Sequence, residues 1–208
     1  MRFFVFLLLS GVTLLAAERK QVFPAAGPKP VGPYSPGIMA GDYLYVSGQG
    51  AGGADGKFAE NPEDRVRQCL KNVQSIVEGA GLTMEHIVYA QVYLHESVPY
   101  EAMNKVWREV FASNPPARST LGVYRMPTET TVEVTAVAIR DLKIKQRVVP
   151  DSYPKDVPYS PGILTPDRLF VSGTIGRDPN TGQIPQDPAA QVQLALDRMK
   201  SKIGRAHV

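Results

Sequence analysis

Pro115-Pro116-Ala117-Arg118-Ser119-Thr120, with the alternating run Thr131-Val132-Glu133-Val134-Thr135-Ala136-Val137-Ala138, decides how the chain is read. The first stretch sets an arginine at the head of a strand, directly after a stiffening proline pair. The second sets a glutamate on a strand whose other face reads Val132, Val134, Ala136 and Ala138. A guanidinium is planar and donates two parallel hydrogen bonds, so it is the side chain best fitted to a carboxylate. A carboxylate nearby can handle the protons of a water. Arg118 and Glu133 are therefore the candidate heart of a small-molecule site. On pattern alone, an edge-strand arginine and a solvent-facing glutamate fit the same residues.

Working outward, Arg118 to Tyr124 and Thr131 to Ile139 read as two strands joined by Met126-Pro127-Thr128-Glu129-Thr130, which predicts a hairpin. Its register is not encoded locally, so whether Arg118 and Glu133 point the same way stays open. Upstream, Ile87 to Leu94 is a third strand, and Ser97 then Pro99 open a helix running to about Phe111. Its inward stripe holds Tyr100, Met103, Trp107 and Phe111, and also Asn104. An amide on an apolar stripe needs a partner, either in the core or in a site. Asn61-Pro62-Glu63-Asp64 starts an earlier helix with a cap, a first-turn proline and two acids. Val66, Cys69, Leu70, Val73, Ile76, Val77 and Ala80 continue it as one stripe, which marks Cys69 as packing rather than nucleophile. Before it, the Gly/Pro-rich segment 27–37 reads as a loop into a strand over Asp42–Ser47. That strand ends at Ser47-Gly48-Gln49-Gly50, where missing side chains let backbone approach a ligand. The order is β-β-α-β-α-β-β, an α+β layer with two helices packed on one face of a mixed sheet.

Pro33-Tyr34-Ser35-Pro36-Gly37-Ile38 recurs as Pro158-Tyr159-Ser160-Pro161-Gly162-Ile163, and Tyr43–Gly48 recurs as Arg168–Gly173, both at an offset of 125. The helical stripe follows at an offset of 126, with Val192, Ala195, Leu196 and Met199 matching Val66, Cys69, Leu70 and Val73. The expected division is residues 18–142 as one domain, 143–150 as a linker and 151–208 as a second, truncated copy. Ile203 to Val208 abandons the helical pattern and reads as a translated sequencing-adapter run, so the natural chain is expected to be longer. A half-copy cannot bury its helix and sheet faces by itself and is expected to be unstable or loosely docked.

Residues 1–17 run from Met1-Arg2 through an apolar stretch to Ala16-Ala17 and then turn charged at Glu18-Arg19-Lys20, the layout of a secretory signal peptide. The apolar run is short for a membrane span, although Leu15 makes an imperfect cleavage signal and leaves an uncleaved anchor as the alternative. The mature protein is read as periplasmic or secreted, with no stable membrane association after cleavage. Removing 1–17 takes away Arg2 alone and leaves 22 basic against 20 acidic residues. A net charge of +2 without a basic stripe argues against nucleic acid. One cysteine excludes an internal disulfide and a cysteine zinc cage, and His86, His95 and His207 lack metal-ligand spacing.

GPYSPG at 32–37, YVSGQ at 45–49, the helical pattern, PPARST at 115–120 and VEVTAVA at 132–138 stand in order. Over about residues 20–141 the chain resembles the RidA family of reactive-intermediate deaminases, also called YjgF or L-PSP proteins. The resemblance implies a chorismate-mutase-like fold and a homotrimer with clefts between subunits. It implies hydrolysis of 2-imino or enamine acids, of the 2-iminopropanoate and 2-iminobutanoate type, to 2-keto acids and ammonia, with no cofactor and no metal. Position by position, it implies that Arg118 clamps the substrate carboxylate and Glu133 positions or deprotonates water. Tyr34, Ser47, Asn104, Ser119 and Thr120 would line the pocket, Thr120 standing where many members carry cysteine. The competing expectation is an exported, non-catalytic carboxylate-binding module of the same fold.

Overall fold

The computed structural model describes residues 18–204 apart from 25, 151, 152 and 155. The signal-like residues 1–17 and residues 205–208 of the adapter-like run 203–208 lie outside the described residues, while Ile203 and Gly204 continue a helix rather than breaking it. A six-stranded sheet carries β1 (Arg19–Val22), β2 (Gly37–Ala40), β3 (Tyr43–Gly50), β4 (Ile87–His95), β5 (Ala117–Val123) and β6 (Val132–Ile139) in the spatial order β1-β2-β3-β6-β4-β5. Two helices, α1 (Pro62–Gly79) and α2 (Tyr100–Val110), cover one face. Asn61 caps α1 by accepting from the Glu63 amide, and Pro62 opens it. The apolar stripe of α1 then packs on Leu44, Val46, Ala90, Val92, Val134 and Ala136, the residues whose alternation turns them toward the helices. This core is complete between Val22 and Ala138.

The sheet departs from the expected hairpin. β5 and β6 are not neighbours, because β4 lies between them, parallel to β5 and antiparallel to β6. A further strand, β1, pairs with β2. Ser47–Gly48 is no terminal turn either: β3 continues to Gly50 through a bulge between Val46 and Gln49.

Residues 143–150 are not a linker. Gln146–Val148 is a strand, β7, paired with β8 (Gly162–Leu164), which pairs with β9 (Leu169–Val171). This reproduces the β1-β2-β3 order, and the recurrence of Val22-Phe23-Pro24 as Val148-Val149-Pro150 is the signal for it. The strands of this second copy lie on the sheet face away from the helices. Ile163, fully buried, packs with Tyr43, Val88, Ala117 and Ile139, and Phe170 joins them. The Tyr43 hydroxyl shares a hydrogen bond with Thr165 Oγ1 at 2.7 Å and donates to Asp167, while the Arg168 guanidinium stacks 4.1 Å over the Tyr43 ring. So these strands are docked by specific contacts, against the expectation of loose attachment. The helix that follows, α3 (Pro188–Gly204), leaves Val192, Leu196, Met199 and Ile203 exposed but buries Lys202, which donates to the Ser172 carbonyl at 3.1 Å and to Thr174 Oγ1 at 2.7 Å.

Candidate functional site

Arg118 opens β5 with its side chain toward the helices. It is paired with Ala90, which is paired with Ala136, and both alanines belong to the helix-side core. The guanidinium is 3% exposed. One Nη donates to Asn104 Oδ1 at 2.8 Å and to the Tyr100 hydroxyl at 3.3 Å, and the other approaches Met103 Sδ at 3.3 Å. Aromatic rings flank it: Trp107 at 4.9 Å, Tyr159 at 5.0 Å and Tyr100 at 5.9 Å. Asn104 thus does both things its place on an apolar stripe allowed, lying in the core and holding the arginine. Burial pulls the Arg118 pKa down from its usual value, with Tyr100 and Tyr159 acting the other way. Among the described residues no carboxylate pairs with this buried cation.

Alternation puts Thr120 on the same side as Arg118 and Ser119 on the other. The Thr120 hydroxyl is buried without a partner, and the residue lies with Tyr100, Leu94 and Val98 on the wall of a cavity of about 610 Å³. Ser119 abuts Gly173 of the second copy.

Glu133 stands elsewhere. Its neighbours Val132 and Val134 both face the helix-side core, so Glu133 projects from the opposite face. It lines a cavity of about 530 Å³ with Tyr34, Ser47, Gly48 and Thr130. A Cβ at Gly48 would overlap the Glu133 carboxylate, so the glycine of the bulge is what admits it. Gly50 makes room in the same way for Thr130, whose Oγ1 accepts from the Ala51 amide at 3.0 Å and donates to the Val132 carbonyl at 2.9 Å. Burial raises the Glu133 pKa above its ordinary value. Cys69 is packed, as its stripe required. Its thiol donates to the Gln49 carbonyl at 2.9 Å, and burial pushes its pKa up.

Apart from Ser119, which the second copy covers, the predicted residues therefore fall into two groups. Arg118, Asn104 and Thr120 form one, joined by Tyr100, Trp107 and Tyr159, which the motif reading left out; the spacing of Tyr100, Asn104 and Trp107 on one helix face was the available signal. Glu133, Tyr34 and Ser47 form the other, and a single first-copy domain does not bring the two together.

The second copy repeats the first-copy motif in its internal bonds. In the first copy Ser47 Oγ donates to the Ser35 carbonyl at 2.7 Å and the Ser47 amide to Pro36 at 2.9 Å. In the second, Ser172 Oγ donates to Ser160 at 2.5 Å and the Ser172 amide to Pro161 at 3.0 Å, the same bonds 125 residues on. That second motif is seated on the Arg118 strand. The Ser160 amide donates to the Pro116 carbonyl at 2.9 Å, the Arg118 amide to Ser172 Oγ at 2.8 Å, and the Gly173 amide to the Arg118 carbonyl at 3.1 Å. A first-copy motif seated likewise would set Gly48, which lies against the Glu133 carboxylate, beside Ser119 on this strand.

Comparison with known proteins agrees with this architecture. A RutC family protein of Saccharolobus solfataricus is 36% identical over 121 residues, 56% of this chain and 94% of its own. A human 2-iminobutanoate/2-iminopropanoate deaminase is 30% identical over 124 residues, 59% of this chain and 90% of its own. Among solved structures, Escherichia coli TdcF with bound serine superposes with a TM-score of 0.56 at 28% identity, over 59% of this chain and 99% of that one. Residues 25–140 match the family model described as Endoribonuclease L-PSP, and with that match, the fold and the motifs in place, the chain belongs to the L-PSP (RidA/YjgF) family.

Proposed function

We propose that this protein hydrolyses small 2-imino or enamine acids to 2-keto acids and ammonia, at sites completed between family domains. The observation that carries the reading is the Arg118 guanidinium: buried and, among the described residues, held by the neutral side chains of Asn104 and Tyr100. A buried cation without a counter-charge is costly, and a substrate carboxylate supplies one in bidentate form. Asn104 and Tyr100 fix the fork in place beforehand, which reduces the ordering cost on binding. Glu133 of a neighbouring domain, brought in beside Gly48, takes a proton from water as the oxygen attacks C2 of the imine. That proton goes to the imine nitrogen, giving the carbinolamine; its hydroxyl proton then passes through the same carboxylate to the amine, the C2–N bond breaks, and ammonia leaves as the 2-keto acid forms. Imines of this kind hydrolyse in water unaided, so orientation and one proton shuttle suffice. The deaminase name of the human relative and the serine held by TdcF support a small amino-acid-like substrate.

The homotrimer that the family resemblance implies supplies such a neighbour. The signal-like residues 1–17 support a periplasmic or secreted setting, where an imine released by an amino-acid oxidase would be a suitable substrate. The test is the loss of freshly generated 2-iminopropanoate with the full chain and with residues 18–142, which hold the whole helix-side core. A rate above background that collapses in Arg118→Ala supports the deaminase. Tight keto-acid binding with no rate points to the carboxylate-binding module instead.

A further inference from the structure

The second copy occupies the one strand edge that the proposed assembly needs. Pro158–Gly173 lies along Pro115–Ser119 through two backbone–backbone bonds, the Ser172 hydroxyl, which accepts from the Arg118 amide, and the Ser160 hydroxyl, which donates to the Pro115 carbonyl at 2.6 Å. The Tyr159 ring closes over the guanidinium at 5.0 Å. Meanwhile the matching first-copy motif, with Tyr34, Ser47 and Gly48, is open: Tyr34 is 43% exposed and the cavity beside it is lined by Glu133. Two copies of one motif, with the same internal hydrogen bonds, fit the same strand edge. Only one can be there.

We propose that the second-copy segment is an intramolecular competitor for the β5 edge, and that the occupant it displaces is the first-copy motif of another molecule of this chain. The competition favours the resident segment, because a short tether holds it at an effective concentration of roughly millimolar. A separate molecule at micromolar concentration cannot match that by mass action. When the resident segment leaves, the edge of one molecule takes the motif of the next, a head-to-tail contact that closes into a ring if the rotation allows. The functional consequence rests on the pairing of Arg118 with a neighbour's Glu133 proposed above. The association itself does not, and it is read as mass rather than turnover, so failure of one leaves the other standing.

The experiment compares the weight-average mass of the full chain with two variants across a concentration series. Ile163→Asp charges a fully buried contact of the docked strands and should release them. Ser119→Cys with Gly173→Cys should lock them, since a Cβ at Gly173 lies 3.4 Å from Ser119 Cβ, close to disulfide spacing. The buried Cys69 takes no part. The unmodified chain and the oxidised double cysteine variant are expected to remain monomeric at micromolar concentration. Ile163→Asp is expected to at least roughly double in mass as concentration rises. Adding Ser47→Trp to Ile163→Asp should abolish that rise by blocking the first-copy motif. A released form that stays monomeric overturns the proposal. So does association that persists in the locked form, which would run through the exposed stripe of α3, or association that survives Ser47→Trp.

Discussion

Arg118 and Glu133 point to opposite faces of one sheet: the pairing Arg118–Ala90–Ala136 sets the arginine toward the helices, and Glu133 lies three residues from Ala136, on the other face. Neither residue can complete a site with the other inside one first-copy domain. Two impaired variants of residues 18–142, Arg118→Ala and Glu133→Gln, should therefore complement when mixed and allowed to exchange subunits. Random assembly leaves about a quarter of the sites with both groups intact. Imine-hydrolysis rates of the mixture against either variant alone provide the check; no recovery would place the two groups in one domain.

Loss of the carboxylate clamp in Arg118→Ala should cost on the order of 2–4 kcal/mol, roughly 30- to 1000-fold in rate. Stability should move the other way in Arg118→Met. Replacing a buried, unpaired charge by an apolar side chain of similar length is often stabilising, here by about 1 kcal/mol. Urea unfolding of the full chain measures it, and a loss of stability would mean that the stacked guanidinium is a net structural asset.

Gly48 and Gly122 make a matched pair. A Cβ at Gly48 would strike the Glu133 carboxylate, whereas a Cβ at Gly122 meets nothing within 4 Å. Gly48→Ala should displace the carboxylate and lower the rate by about 100-fold; Gly122→Ala should leave rate and stability unchanged.

The pH dependence follows from the burial of Glu133. Its pKa is raised above the ordinary 4.5, and only the ionised form can take a proton. The acid limb of kcat/KM should accordingly lie above 4.5, with the rate rising as pH passes through the raised value, and Glu133→Gln should have no such limb. Stability carries the opposite sign. The fold favours the protonated acid, so this contribution is present below the unfolded pKa and lost as pH rises through the folded one. Relative to Glu133→Gln, the unmodified chain should lose stability across that window in urea titrations.

Features with a local cause were legible in the sequence. The Asn61-Pro62 cap, the α1 stripe with Cys69 inside it and the alternation of β6 each follow from short-range chemistry, and all stand in the structure. What lay hidden has a distant cause. The insertion of β4 between β5 and β6 depends on residues about thirty positions upstream of β5, which no turn signal at Met126–Thr130 reports. The short β1 and β7 have too few residues for alternation to show, and only the repeated Val-x-Pro marks them. The division of the site into two groups likewise required the register, because a shift of one residue would have turned Glu133 to the other face.

The same topology sets an order in time. Pairing of β3 with β6 joins Tyr43 to Ile139, so the sheet closes only after nearly the whole first copy has been synthesised. Contacts so far apart in the chain form late. Ser160, the first residue of the second motif to reach the β5 edge, follows Ile139 by 21 positions. At a synthesis rate of about 5–20 residues per second, that leaves only roughly one to four seconds in which a nascent first copy presents an uncovered edge. In the proposed assembly, neighbouring nascent chains on one message would have to meet within that interval, before the chain's own segment arrives.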